Sequence, residues 1–204
     1  QGHVRALQAV GVYGLLDGVD ERLHLLAEAA DQLDARGALV LTVVDGRLRA
    51  RAESGMSGLM VEALEEKADL KFLAGLCQTG EPLLYSPGEA KAALPQSELL
   101  KPFGAMLSSG ASRPPAERRI DQMIAVPLTT AQGRQPFGLL LVINQNLERA
   151  FSAAEARYLQ VLSTNTAIAL KNIVFTAELE RSHWELIQAL AQAIEAKDSY
   201  TSNH

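Results

Sequence analysis

Hydrophobic residues stand three or four apart toward both ends of this chain and crowd into short runs or strict alternation between them, which predicts helices flanking a sheet. Val4, Leu7, Val10, Leu15 and Leu16 mark a short first helix, weakened by Gly11 and Gly14. Asp20 opens a second, with Leu23, Leu26, Ala27, Ala30 and Leu33 on one face, and Gly37 closes it. Ala38 to Val44 is a β-branched and leucine run ended by Asp45-Gly46, the strongest two-residue hairpin signal a sequence offers. In the returning strand, Arg47 to Ala52, the residues Leu48, Ala50 and Ala52 alternate with arginines, as a strand with one wet face requires.

Residues 57–79 read as helical through Leu59, Leu64, Leu70, Leu73 and Leu76, and Gly80-Glu81-Pro82 stops them before a short strand at Leu83 to Tyr85. Ser86 to Glu117 holds Pro87, Pro95, Pro102, Pro114 and Pro115, so it is a long irregular insert with one helical turn near Ser97 to Phe103. Met123 to Leu128 and Phe137 to Ile143 are two further strands joined by a turn at Ala131-Gln132-Gly133. From Ser152 onward no Pro or Gly occurs, which predicts one continuous helix. At about 45 residues and roughly 1.5 Å per residue it is far longer than a globular core can cover. The expected sheet is antiparallel, of five or six strands, with helices 20–35 and 152–175 on one face.

Composition narrows the function classes. A chain of 204 residues, 48% hydrophobic and 21% charged, is ordinary for a globular protein. A formal charge of -5 with scattered Lys and Arg argues against a nucleic-acid surface; the clusters Arg47, Arg49, Arg51 and Arg118, Arg119 are too short to reverse that. No apolar run is long enough to span a membrane. The lone Cys77 excludes an internal disulfide, fits a reducing cytoplasm and reads as a small core residue rather than a redox sensor. His3, His24, His183 and His204 share no ligand spacing with one another or with Cys77, so no metal or haem site is expected in the first 175 residues. Gln1-Gly2 shows neither an initiator Met nor a signal-peptide pattern and reads as an added remnant or an internal cut.

Two segments carry family resemblance. Val126-Pro127-Leu128, a polar turn, Gly138 to Asn144, Phe151-Ser152-Ala153-Ala154-Glu155 and a helix containing Ala167 to Asn172 together resemble a GAF domain, a small α/β sensor module. The physical reasons are local. Pro127 lacks a donor and suits a strand edge or end, Gly138 marks close backbone approach, and Ser152 with Glu155 forms a capping box behind Phe151. The resemblance implies an α+β fold: a GAF-like central antiparallel sheet flanked by helices, with a long C-terminal signalling helix. The cyclic-nucleotide subset of the family has an Asn-Lys pair, a Phe and a following Asp-Glu pair. Here Asn144 is followed by Gln145, and Phe151 by Glu155 with Ala156, which argues against a cyclic nucleotide. Cys77 is followed by Gln78 rather than His, which argues against a covalent bilin.

The second resemblance lies at the end of the chain. Ala189, Ala193, Ile194, Glu195, Ala196, Lys197, Asp198, Tyr200, Thr201 and His204 are similar to the opening of an HD-GYP domain, a metal-dependent phosphodiesterase of cyclic di-GMP. The resemblance gives His204 the role of a metal ligand, usable only with the HD and GYP residues of a complete domain, where iron or manganese is expected. The implied organisation is an N-terminal helix or linker at 1–18, a GAF domain at 19–175, a coiled-coil-like linker helix at 176–197 and the start of a truncated HD-GYP domain at 198–204. This fragment then has no catalytic residues and no cofactor, whereas the parent is an enzyme.

A ligand, if the module takes a small molecule, is expected near Tyr85, Phe103, Met106, Arg113 and Arg119, in or beside the irregular insert. Ile168, Phe175, Leu179, Leu186 and Leu190 continue an apolar stripe that a second copy would cover, giving a homodimer through the C-terminal helix. Asn165, Asn172 and His183 stand near that seam and weaken it, as suits a switch. Two other readings stay open: a ligand-free GAF dimerisation module, and a GAF sensor attached to a histidine kinase or a cyclase.

Overall fold

The computed structural model describes residues 19–30, 33, 35–86, 98–107, 115–130, 136–145 and 150–201, with the backbone alone from residue 195. Helix α1 covers residues 19–30. After it come β1 (Gly37–Val44), β2 (Arg47–Ser54), α2 (Gly58–Lys67), α3 (Leu70–Thr79), β3 (Leu83–Tyr85), β4 (Gln122–Leu128), β5 (Gly138–Asn144) and α4 (Ala153–Thr201). Two single turns of 3-10 helix, Lys101–Phe103 and Ala116–Arg118, stand between β3 and β4. The strands form one five-stranded sheet in the order β2-β1-β5-β4-β3, antiparallel at every pairing. This is the expected α+β architecture, with a C-terminal helix of 49 residues. Contacts divide the chain into a compact unit over residues 20–168 and a second unit of residues 1–19 and 169–204. The helix expected over Val4 to Leu16 and the turn at Ala131-Gln132-Gly133 lie outside the described residues.

Local chemistry explains the hairpin and one departure within it. Asp45 and Gly46 both have positive φ, 48° and 72°, the turn whose twist matches two antiparallel strands. Between β1 and β2, Val40 pairs with Ala52 but Leu41 pairs with Ala50, so Arg51 is the extra residue of a β-bulge. Leu48 and partly buried Ala50 therefore pack on one face of the sheet, whereas Ala52 is carried round to the other beside Val40. The strict alternation expected of this strand stops at the bulge. Arg51 is turned toward α1, where its guanidinium lies 2.9 Å from the Asp20 carboxylate.

Each face of the sheet is covered. Leu39, Leu41, Met123, Ala125, Leu139, Leu141 and Ile143 form one core cluster with α2, α3 and the insert. Ala38, Val40, Ile124, Val126, Leu140 and Val142 point the other way and are equally closed to solvent. The helices left to cover them are α1, through Leu23, Leu26, Ala27 and Ala30, and α4, through Ala156, Leu159, Ser163 and Ala167. The residues read as one helix over 57–79 are two. Ala68 is extended, and Asp69 caps a new helix by accepting from the Phe72 N–H at 2.7 Å. Gly37, expected to end a helix, is the first residue of β1.

Gly138 is held by close approach: a Cβ there would lie 2.0 Å from the Leu41 carbonyl oxygen and 2.9 Å from Thr42 Cα. Neither neighbour is a flexible side chain, so β1 and β5 would have to part. Gly138→Ala is expected to cost about 3 kcal/mol or more, the upper range of overpacking. Urea unfolding of the variant checks it.

Candidate functional site

The candidate ligand face is built by the insert folding back on the sheet. Pro102 lies in the Lys101–Phe103 turn of 3-10 helix, and the Phe103 N–H donates to the Leu100 carbonyl at 3.0 Å. That turn delivers Phe103 onto Phe72 of α3, ring centres 5.0 Å apart and 70° between planes, an edge-to-face pair. Leu107 forms an isolated parallel bridge with Ile120, and the Ile120 N–H donates to the Met106 carbonyl at 2.8 Å. Tyr85, Phe103 and Met106 thus meet in one cluster with Leu64, Leu73, Leu76 and Met123. They are packed core, with Phe103 fully closed off from solvent.

Arg119 is set apart from these three. Its Nε donates to the buried Asp121 carboxylate at 3.1 Å, and its carbonyl accepts from the Gln145 side-chain amide at 2.8 Å. Gln145, which departs from the Lys of the cyclic-nucleotide pattern, therefore ties the chain entering β4 to the chain leaving β5. Beside it, the buried Gln122 side chain accepts from the Phe151 N–H at 2.8 Å and fixes the entry to α4. Arg113 lies outside the described residues.

The N-terminus of α4 is capped as its residues imply. Ser152 Oγ accepts from the Glu155 N–H at 3.2 Å, and the Glu155 carboxylate accepts from the Ser152 N–H at 2.7 Å. Phe151 is buried just before this box. Cys77 is half-buried against the core cluster, and burial pushes its thiol above the ordinary range. That is the environment of a packed thiol rather than an activated one.

Two hollows stand out among the described residues, and neither is lined by Tyr85, Phe103, Met106 or Arg119. The larger, about 530 Å³, opens between the β1–β2 turn and helices α2 and α3, and its lining includes Arg47, Arg49, Glu62, Glu65, Glu66 and Asp69. The Arg49 guanidinium, 2.7 Å from Glu65, and the Ala50 N–H hold the Glu65 carboxyl below its ordinary range. The smaller is formed by Ala29, Leu33, Ala154, Glu155 and Tyr158. Among the described residues no three His, Cys, Asp or Glu side chains come together to hold a metal ion. No described helix is long and apolar enough to cross a membrane.

The stripe residues Ile168, Phe175, Leu179, Leu186 and Leu190 are all exposed on α4, from 43% at Ile168 to 64% at Leu190. Val161, 59% exposed, continues the same line into the compact unit. It was legible as an apolar residue seven positions before Ile168. His204 lies outside the described residues, and the helix backbone continues as far as Thr201.

No protein-family model matches the chain, and no curated protein matches it. Solved structures do. The blue-light-absorbing form of the PixJ GAF domain from Thermosynechococcus elongatus is similar at a TM-score of 0.54, 15% identity, 82% of this chain and 94% of that one. The GAF domain/HD domain protein from Geobacter sulfurreducens follows at 0.52, 18% identity, 79% and 97%. The chain has the GAF fold. A third GAF domain, of a protein assigned as a sensor histidine kinase from Pseudomonas syringae pv. tomato, is similar at 0.50 and 16%, covering 89% and 97%. In this GAF fold, the segment Gly138 to Asn144 that carried the resemblance is β5, beside β1 near the middle of the sheet, and Phe151-Ser152 is the entry to α4.

Proposed function

We propose that this chain is the regulatory GAF module of a metal-dependent HD-GYP phosphodiesterase acting on cyclic di-GMP, signalling through α4 in a homodimer. The observation that carries the reading is the motif at Ala189, Ala193, Ile194, Glu195, Ala196, Lys197, Asp198, Tyr200, Thr201 and His204. The helix that begins at the Ser152 capping box runs through Thr201, so the GAF core and the motif from Ala189 to Thr201 share one element. The Geobacter sulfurreducens protein, described as a GAF domain/HD domain protein, supports the pairing of the two domain types. In the complete enzyme His204 would be one ligand of an iron or manganese centre whose metal supplies an activated water. The other ligands belong to the HD and GYP residues of that domain, so the 204-residue chain is expected to be silent toward cyclic di-GMP with either metal added. Turnover by the purified chain would overturn this assignment.

The packed face under Phe103 favours a second reading, a ligand-free GAF module that only joins two copies. A screen of small molecules by thermal shift separates the two. A ligand that binds the folded state raises the melting temperature with its concentration, and a module without a ligand is shifted by none. The seam on α4 serves either reading, because a ligand changes the output only by binding two states of the helix pair differently.

A further inference from the structure

One side of α4 follows a strict alternation of three and four residues: Val161, Asn165, Ile168, Asn172, Phe175, Leu179, Ser182, Leu186, Ala189 and Ala193. Val161, Ile168, Phe175, Leu179 and Leu186 are between 43% and 63% exposed, and Asn165 and Asn172 are exposed with them. The buried side of the helix is elsewhere. Ser163, fully buried, precedes Asn165 by two residues, about 200° around an α-helix. Such spacing, sustained over roughly four and a half heptads, is that of a coiled-coil seam. In heptad terms Asn165 and Asn172 occupy the same position in two successive repeats.

We propose that Asn165 and Asn172 are the register-setting layers of a parallel, two-stranded seam that this helix makes with a second copy of the chain. This deepens the homodimer put forward above and rests on it. An asparagine amide enclosed against apolar side chains loses its hydrogen bonds to water, and only a polar group at the same level restores them. A second copy, parallel and in register, presents Asn165 to Asn165 and Asn172 to Asn172. A slip of one heptad matches a single pair and leaves the other two asparagines facing Tyr158 and Leu179. In an antiparallel pair the asparagine positions face the alternate seam positions, where this chain carries Val161, Ile168, Phe175, Ser182 and Ala189, so at most one asparagine meets a polar partner, at Ser182, and the other is set against an apolar side chain. A second copy also suits the flanks, since exposed Glu178 and His183 stand five residues apart, the spacing at which flanking side chains of parallel copies meet. An unrelated apolar helix would strand both asparagines.

Disulfide trapping tests the register. In a Cys77→Ala background, Ile168→Cys is expected to cross-link to itself under mild oxidation, and Trp184→Cys, on the other side of the helix, to stay largely uncoupled. Adding Asn165→Leu and Asn172→Leu should leave a dimer by sedimentation, as tight or tighter, while the cross-link at 168 falls several-fold as other registers become populated. A cross-link unchanged by the two substitutions overturns the register role. A dimer that does not cross-link at 168 overturns the parallel seam. A monomer by sedimentation before any asparagine is changed overturns the homodimer itself.

Discussion

Replacing Leu179 and Leu186 with Asp is expected to dissociate the proposed homodimer while the sheet and its helices stay folded. Both side chains are about half exposed or more in a single chain, 48% and 60%, so neither holds the core together. In a paired helix the same positions would be enclosed. An unpaired carboxylate there costs at least roughly 2 kcal/mol, so the four that two substitutions per chain bring to a dimer weaken association by about five orders of magnitude or more. The shift is visible in sedimentation velocity over a concentration series. An unchanged far-ultraviolet signal and melting of the compact unit should accompany it. A dimer of unaltered affinity would mean that this face of α4 is not the interface, and the proposed signalling route would fall with it.

Phe103→Ala is expected to have the largest effect on the compact unit itself. The ring is fully buried, meets Phe72 edge to face, and holds the irregular segment against the sheet. Removing a buried phenylalanine costs about 3–5 kcal/mol, the spread reflecting how far the site collapses. Chemical denaturation should show that loss. A change under about 1 kcal/mol would mean that the segment closes without its aromatic anchor. The same substitution bears on sensing, because it opens space on the face where the sequence places a ligand.

What the sequence made legible was mostly local. Asp45-Gly46, the Ser152–Glu155 box and the close approach at Gly138 each depend on residues a few positions apart or on a backbone that only glycine permits. The break between α2 and α3 also had a local signal, Asp69 three residues before Phe72, but apolar residues at helical spacing continue across it and hid the cap. The bulge at Arg51 was invisible because alternation in sequence continues through it, and only the pairing of Val40 with Ala52 shows the switch of face.

The candidate site was harder to read for a related reason. Tyr85, Phe103 and Met106 were picked out as residues of or beside a proline-rich segment, and they do come together. Whether such residues line a hollow or fill it depends on how the segment docks on Phe72, Leu73 and Leu76, which no spacing encodes. Arg119 was grouped with them by nearness in sequence, whereas its charge is taken up by Asp121 two positions on. The exposure of the stripe on α4 follows from length, since a helix of 49 residues carries more apolar side chains than one sheet can shelter.

The most direct test of the central claim is hydrolysis of cyclic di-GMP by the full-length gene product, assayed with iron or manganese beside the same protein carrying His204→Ala. Turnover that depends on the metal and is lost in the variant, with the GAF melting transition unchanged, is the result expected of a GAF module joined to an HD-GYP phosphodiesterase. Absence of turnover in the unaltered protein with either metal, or turnover indifferent to His204, would contradict it.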